Sequence, residues 1–121
     1  MTLHDYTGRP YRFGVYHCWH HVISVRHDAG LSTPAFDCTS PDDIQRAFDD
    51  GHDNPKGLVQ VAEPEDWCAV LMAAKHRGRL VWHSGVYHDG HVSHCELAAR
   101  QVRMESLQAI TDRFERVEFW R

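Results

Sequence analysis

The sequence predicts an α+β fold in which N-terminal helices pack on an antiparallel sheet. Apolar residues recur at helical spacing in the first half of the chain, whereas the second half holds strand-length apolar runs. Asp89-Gly90 is a strong two-residue turn signal and joins two of these runs as a hairpin. Helices that precede an antiparallel sheet, instead of alternating with its strands, are typical of the α+β class. The length of 121 residues predicts one domain, residues 1–121.

The composition excludes several classes of protein. A net charge of −4 gives no electrostatic footprint for nucleic acid, so we expect no nucleic-acid partner. No apolar run has the length of a membrane span, and the N-terminus lacks the pattern of a signal peptide, so we expect no membrane insertion and no export by that route. The four cysteines form no CxxC pair, which indicates reduced thiols in a cytosolic setting.

Two segments of the first half have helical patterns. From Cys18 to Ala29 the apolar residues follow helical spacing, and Gly30 is a plausible stop. Residues 40–51, "SPDDIQRAFDDG", carry a serine cap, a proline in the first helical position and a terminal glycine, which predicts a second helix.

The second half changes to the strand period. "WCAVLMAA" is apolar on both faces and is typical of a buried central strand. "RLVWHSGVY" and "HVSHCELA" alternate around the Asp89-Gly90 turn. We expect "QVRMESLQAITDRF" to hold a strand end followed by one or two helical turns, and "RVEFWR" to close the chain as a strand.

The predicted hairpin brings four residues to one face. If Asp89 and Gly90 form the loop, then Gly85 lies opposite His94 and His83 lies opposite Glu96. His94 is then a diagonal neighbour of His83, and Gly85 leaves open space beside it. An imidazole that is held by another polar group is suited to general-base catalysis, because the partner fixes its tautomer. Glu96 is a second possible orienter of His83.

Cys18 has the local setting of a nucleophile. It opens the first predicted helix, where unpaired N–H groups and the helix dipole lower a thiol's pKa. The other cysteines lack this setting: Cys38 falls in a predicted loop, Cys68 in the apolar strand, and Cys95 on the strand face opposite His94. A cysteine, a distant histidine and an orienting polar residue together suggest thiol acyl transfer.

Three segments resemble a known family, the NlpC-type cell-wall peptidases, which are papain-like. "PYRFGVYHCWHHV" resembles the family's "PYxxGG…DCxxLV" segment, "EDWCAVLM" its "GDxVxM/F" strand, and "HSGVYHDGHVSHC" its "HVGIYxGDGxxxHA" hairpin. The ending "QVRMESLQAI…VEFWR" is similar to that of the short versions carried by phage tails. The resemblance covers nearly the whole chain in family order.

The resemblance implies a function and a set of roles. Cys18 matches the nucleophile, His83 the general base, His94 the polar residue that orients it, and Tyr11 a tyrosine that lines the site and can help the oxyanion. The backbone N–H of Cys18 is a second oxyanion donor. The implied reaction is hydrolysis of amide bonds in peptidoglycan stem peptides, with no metal and no cofactor. A phage virion tail, or the bacterial cytoplasm before assembly, is the implied location, with other tail-tip proteins as partners.

Three departures from the family pattern bear on the pocket. His17 stands where the family has aspartate, the loop between Tyr11 and Cys18 is short, and Ser84 replaces a valine. Two other functions therefore stay open: a non-catalytic structural tail-tip protein on the same fold, or an antibacterial amidase effector. Cys18 could also be an inert core thiol, since it shares a helical stripe with two valines. A metal cluster at "HCWHH" is a further alternative, although its spacing is not a zinc pattern.

Overall fold

The chain forms two helices and an open antiparallel sheet of six strands within the residues that the structure describes. A computed structural model describes residues 2–12, 16–34 and 58–121. The elements are a short 3₁₀ helix (Leu3–Tyr6), α1 (Cys18–Asp28), β1 (Gln60–Val61), β2 (Ala69–His76), β3 (Arg79–His88), β4 (His91–Glu96), β5 (Gln101–Ser106), α2 (Leu107–Arg113) and β6 (Arg116–Trp120). The strand order is β1-β6-β2-β3-β4-β5. Helices on an antiparallel sheet agree with the class expected from the sequence.

The predicted hairpin is present with the predicted loop. Asp89 and Gly90 separate β3 from β4, and their φ angles of 47° and 79° match a two-residue turn with both residues left-handed. His88 pairs with His91, and the ladder continues to Val86 opposite Ser93. This is the register on which the shared face of the two histidines was predicted.

The apolar run in the middle of the chain is a central strand, as predicted. β2 lies between β6 and β3 in the sheet, and its residues from Ala69 to Ala73 are buried on both faces. Arg116 to Trp120 forms β6 beside it, in agreement with the strand predicted at the C-terminus. α2 follows β5 directly and begins at the cap Ser106, whose hydroxyl accepts a hydrogen bond from the N–H of Ala109.

α1 begins and ends close to the predicted residues. His17 is its N-cap, and the Nδ1 atom of His17 accepts a hydrogen bond from the N–H of Trp19. Gly30 follows the helix with a φ of 82°, which glycine adopts at little cost. The helix predicted at residues 40–51 lies outside the described residues.

The two helices pack on opposite faces of the sheet, and each face has its own core. The α1 face is defined by Ser84, Val86, Ser93 and Cys95, and its core includes Cys18, Val22 and Val25 of α1. The α2 face is defined by Val70, Met72, His83, Val92 and His94, and its core includes Ile110 of α2. Side chains alternate along each strand, so consecutive residues of β3 and β4 belong to different faces.

Two short features at the sheet edges have no signal in the sequence. The N-terminal segment runs beside β5, where the N–H of Gly8 donates to the carbonyl of Val102 at 3.0 Å. At the other edge the two residues of β1 pair with the end of β6. No helix in the described ranges is long and apolar enough to cross a membrane.

Candidate functional site

His83 and His94 meet on the α2 face. The Nε2 atom of His83 lies 2.9 Å from the Nδ1 atom of His94, and the two rings are nearly perpendicular. His94 is fully buried and His83 is half-buried, so His83 is the member of the pair that solvent or a ligand can reach. The strand register brings these residues together, because each comes from one arm of the hairpin.

Glu105 holds His94 from the other side. Its Oε2 atom lies 2.5 Å from the Nε2 atom of His94. Glu105 comes from β5, where it pairs with Val92 and is therefore diagonal to His94 on the same face. No sequence pattern predicted a role for this residue. The register of β5 depends on a four-residue connection, Leu97 to Arg100, that carries no strong turn signal.

Arg113, at the end of α2, joins the two carboxylates beside His94. Its Nη2 atom lies 2.5 Å from Oε2 of Glu105, and its Nη1 atom lies 3.5 Å from Oε1 of Glu96. Glu96, the predicted second orienter, has its Oε2 atom 3.8 Å from Nδ1 of His94 and also contacts Arg103 at 3.5 Å. Glu105 therefore makes the short carboxylate contact with His94, and Glu96 makes a longer one.

Burial governs the protonation of this group. It lowers the pKa of His83 well below 6.5, and electrostatic interactions with His94 and with the positive charge of Arg113 act in the same direction. Burial also lowers the pKa of His94, although the hydrogen bond to Glu105 opposes it. Burial acts to raise the pKa of the Glu105 carboxyl, but the hydrogen bonds from Arg113 and His94 outweigh it and hold that pKa below 4.5. Near neutral pH the group is two neutral imidazoles and an ionised carboxylate.

Gly85 allows the close approach of β3 and β4 at this point. A Cβ atom built on Gly85 would lie 2.7 Å from the carbonyl oxygen of Ser93 and 3.1 Å from the Cβ atom of His94. The expectation of open space beside His94 is therefore wrong. The glycine is needed because the neighbouring strand already fills that space.

Cys18 does not lie with the histidines. It is the first residue of α1, it is 6% exposed, and it belongs to the core of the α1 face. On that face the Sγ atom of Cys95 lies 3.7 Å from the carbonyl oxygen of Tyr16, and α1 contacts β4 through His21. The structure thus brings His83 and His94 together but leaves Cys18 on the other side of the sheet.

Tyr11 lies on the same face of the sheet as Cys18. It is half-buried and packs against the core of the α1 face. Burial raises the pKa of its phenol, and the nearby thiols of Cys18 and Cys95 add to that effect. The predicted site residues therefore lie in two separate groups, a thiol with a tyrosine on the α1 face and a pair of histidines on the α2 face.

The three histidines near Cys18 each make contacts within the protein, and these contacts account for their positions without a metal ion. His17 caps α1, and its ring packs on that of His20 with centroids 3.9 Å apart. Burial lowers the pKa of His17 to about 4, with His20 adding to the effect. His21 is fully buried and contacts Tyr16 and Ser93 through its two ring nitrogens. The three rings therefore do not converge on one point.

One group in the described residues could offer ligands to a metal ion. Nitrogen and oxygen atoms of His94, Glu96 and Glu105 lie within 4.8 Å of one another. Imidazole and carboxylate suit zinc. However, both nitrogens of His94 are already in hydrogen bonds, and the guanidinium of Arg113 already donates hydrogen bonds to both carboxylates. A metal would have to displace these contacts.

No protein-family model matches the chain, and no curated protein matches its sequence.

Proposed function

We propose that the chain is a cysteine hydrolase of the NlpC type that cleaves amide bonds in peptidoglycan stem peptides. The contact between His83 and His94 carries the proposal. The sequence motifs predict a base and an orienter at these positions, and their rings are 2.9 Å apart. The three matching segments, in family order across nearly the whole chain, supply the substrate class.

His83 would act as the general base. Its lowered pKa keeps the imidazole neutral near neutral pH, which a base requires. Cys18 would attack the amide carbonyl, with Tyr11 and the N–H of Cys18 as donors to the oxyanion. Collapse of the tetrahedral intermediate would release the amine, which takes the proton from His83, and would leave a thioester that water then hydrolyses. Direct proton transfer to His83 requires Cys18 on the α2 face, whereas α1 holds Cys18 on the opposite face of the sheet.

The position of Cys18 favours a second candidate, a structural component on the same fold. A thiol that is 6% exposed and separated from His83 by the sheet cannot act with it in that arrangement. Under this candidate the chain is a tail-tip protein of a phage or prophage, and other tail proteins are its partners. The hydrogen-bonded histidines then serve only to stabilise the α2 face.

Turnover of purified peptidoglycan separates the two candidates. The hydrolase predicts release of soluble peptides by the wild type and a loss of roughly a hundredfold or more in both Cys18→Ala and His83→Ala, because nucleophile and base act as one unit. For the same reason the double variant should be no worse than either single one. Cys68→Ala is the control, since this buried thiol has no proposed role. Folding of each variant is checked by thermal melting.

Two results would count against the hydrolase. The first is the absence of turnover by the folded wild type, which favours the structural component. The second is wild-type turnover in Cys18→Ala together with a large loss in His83→Ala, which would mean that His83 activates water instead of the thiol. An antibacterial effector would share the activity with the proposed enzyme and would differ in its toxicity to cells that express it.

A further inference from the structure

We propose that Glu105 and Arg113 are positioning residues that determine which ring nitrogen of His83 is free to accept a proton. The inference rests on the proposed function, because it concerns the same imidazole. The first experiment that tests it, however, measures the tautomers of the histidine rings and does not require the protein to hydrolyse peptidoglycan. Glu105 lies on β5 and Arg113 on α2, so neither belongs to the hairpin on which the two histidines were predicted.

The chain of hydrogen bonds starts at the carboxylate. An ionised carboxylate only accepts hydrogen bonds, so the Nε2 atom of His94, 2.5 Å from Glu105, must carry a proton and donate it. A neutral imidazole has one N–H, so the Nδ1 atom of His94 is then an acceptor. Glu105 thereby selects one tautomer of His94.

The tautomer of His94 in turn determines the tautomer of His83. Its Nε2 atom lies 2.9 Å from Nδ1 of His94, and the acceptor on His94 requires an N–H on His83. The N–H of His83 is therefore on Nε2, and its Nδ1 atom has the free lone pair. Without Glu105, His94 could adopt either tautomer and His83 would no longer be held in one.

Arg113 fixes the carboxylate that begins this chain. Its Nη2 atom lies 2.5 Å from the same Oε2 atom that His94 contacts. Its guanidinium also lies 4.7 Å over the ring of Phe114, and that ring is stacked at 6.4 Å on the ring of His83. The last turn of α2 thus contributes a charge to Glu105 and an apolar wall to His83.

The same surface offers matched controls. Glu96 contacts Arg113 as Glu105 does, and the two have similar exposure, but its shortest contact with His94 is 3.8 Å. Arg103 contacts Glu96 at 3.5 Å. Glu96→Gln and Arg103→Met therefore remove a charge from the same network without touching the bond between Glu105 and His94.

Nitrogen-15 NMR of the histidine side chains tests the proposal directly, because ring nitrogen shifts distinguish the two neutral tautomers. In the wild type we expect His83 and His94 both to carry the proton on Nε2. In Glu105→Ala we expect a mixture of tautomers at both rings, and in Glu105→Gln, whose amide oxygen can still accept, a partial return to the wild-type pattern. Arg113→Met should give a smaller loss of the Nε2–H form, partly restored in Arg113→Lys.

Turnover of peptidoglycan is the second readout. Glu105→Ala should lose about tenfold or more, since a base held in the wrong tautomer is impaired, and Arg103→Met should stay close to the wild type. Unchanged tautomers in folded Glu105→Ala, or an equal change in Glu96→Gln, would overturn the positioning role. A wild type with the expected tautomers but no turnover would overturn the proposed function and leave the tautomer assignment supported.

Discussion

His21 has hydrogen bonds at both ring nitrogens, but solvent cannot reach it. The hydroxyl of Tyr16 lies 2.7 Å from Nδ1, and that of Ser93 lies 2.8 Å from Nε2. A serine, a histidine and a tyrosine in this order have the contacts of a nucleophile, a base and an orienter. Ser93 and His21 are both fully buried, however, so these contacts connect α1 to β4 and leave no access for a substrate.

The burial of His21 predicts that the fold weakens in mild acid. Burial lowers its pKa from 6.5 to about 3, so between these values the unfolded chain binds a proton that the folded chain does not. The free energy of unfolding should therefore fall as the pH drops below 6.5, by up to about 1.4 kcal/mol per pH unit from this residue. His17, His83 and His94, whose pKa values are also lowered, act in the same direction.

Urea unfolding between neutral pH and pH 4 measures this slope. His21→Gln should be less stable than the wild type at neutral pH and should show a shallower dependence on pH. His27→Gln is the control, because its ring is 86% exposed. An equal slope in the wild type and His21→Gln would mean that His21 does not contribute as the structure indicates.

The reactivity of Cys18 is a second property of a single residue that can be tested. Cys68 and Cys95 are buried, and burial raises the pKa of Cys95 to about 12, with Cys18 adding to it. If Cys18 is an activated nucleophile, iodoacetamide should label it near neutral pH much faster than Cys68 or Cys95. Protection of all three until unfolding would instead agree with an inert core thiol. Peptide mass spectrometry identifies each labelled cysteine, including Cys38, which lies outside the described residues.

The hairpin of β3 and β4 shows what local sequence can predict about an element. Asp89-Gly90 determines the loop, the loop determines the register, and the register brings His83 to His94. The face on which a helix packs has no such local signal. The buried residues of α1 lie on one side of the helix, but their pattern does not say which face of the sheet that side meets. Glu105 was missed for a related reason, since no turn signal specifies the register of β5.

Gly85 is the position at which the hairpin is most sensitive to substitution. In Gly85→Ala the new Cβ atom would meet the carbonyl oxygen of Ser93 at 2.7 Å and Cγ1 of Val92 at 2.9 Å, so β3 and β4 must move apart. We expect a loss of about 1–3 kcal/mol in the free energy of unfolding, as for other overpacked sites. The contact between His83 and His94 should lengthen, which the ring nitrogen shifts would report.

Gly90→Ala is the control that distinguishes the steric clash expected in Gly85→Ala from the backbone strain of alanine at a positive φ. Gly90 has a φ of 79° and open space around it, so alanine there is strained but meets no neighbour. We expect it to cost about 1 kcal/mol and to leave the ring nitrogens of His83 and His94 unchanged. Wild-type stability in Gly85→Ala would show that the strands are not packed this closely.

For the molecule as a whole, the face of the sheet that carries α1 determines whether Cys18 and His83 can act together. With α1 on the face of Ser93, Cys18 and His83 are separated by the sheet, and the structural candidate is favoured. With α1 on the face of His94, the thiol and the base could meet. Ser84 and Ser93 allow a test, because both are fully buried on the α1 face. Ser93 contacts His21, whereas the Ser84 hydroxyl has no hydrogen-bond partner among the described residues.

Replacing each serine by alanine therefore gives opposite expectations. Ser93→Ala leaves a buried nitrogen of His21 unpaired and should cost about 1–3 kcal/mol in the free energy of unfolding. Ser84→Ala removes a buried hydroxyl that has no such contact and should be neutral or stabilising. Urea unfolding of the two variants beside the wild type measures both. A neutral Ser93→Ala would count against the contact between Ser93 and His21 that holds α1 on this face. The hydrolase would then gain support, since Cys18 would no longer be held across the sheet from His83.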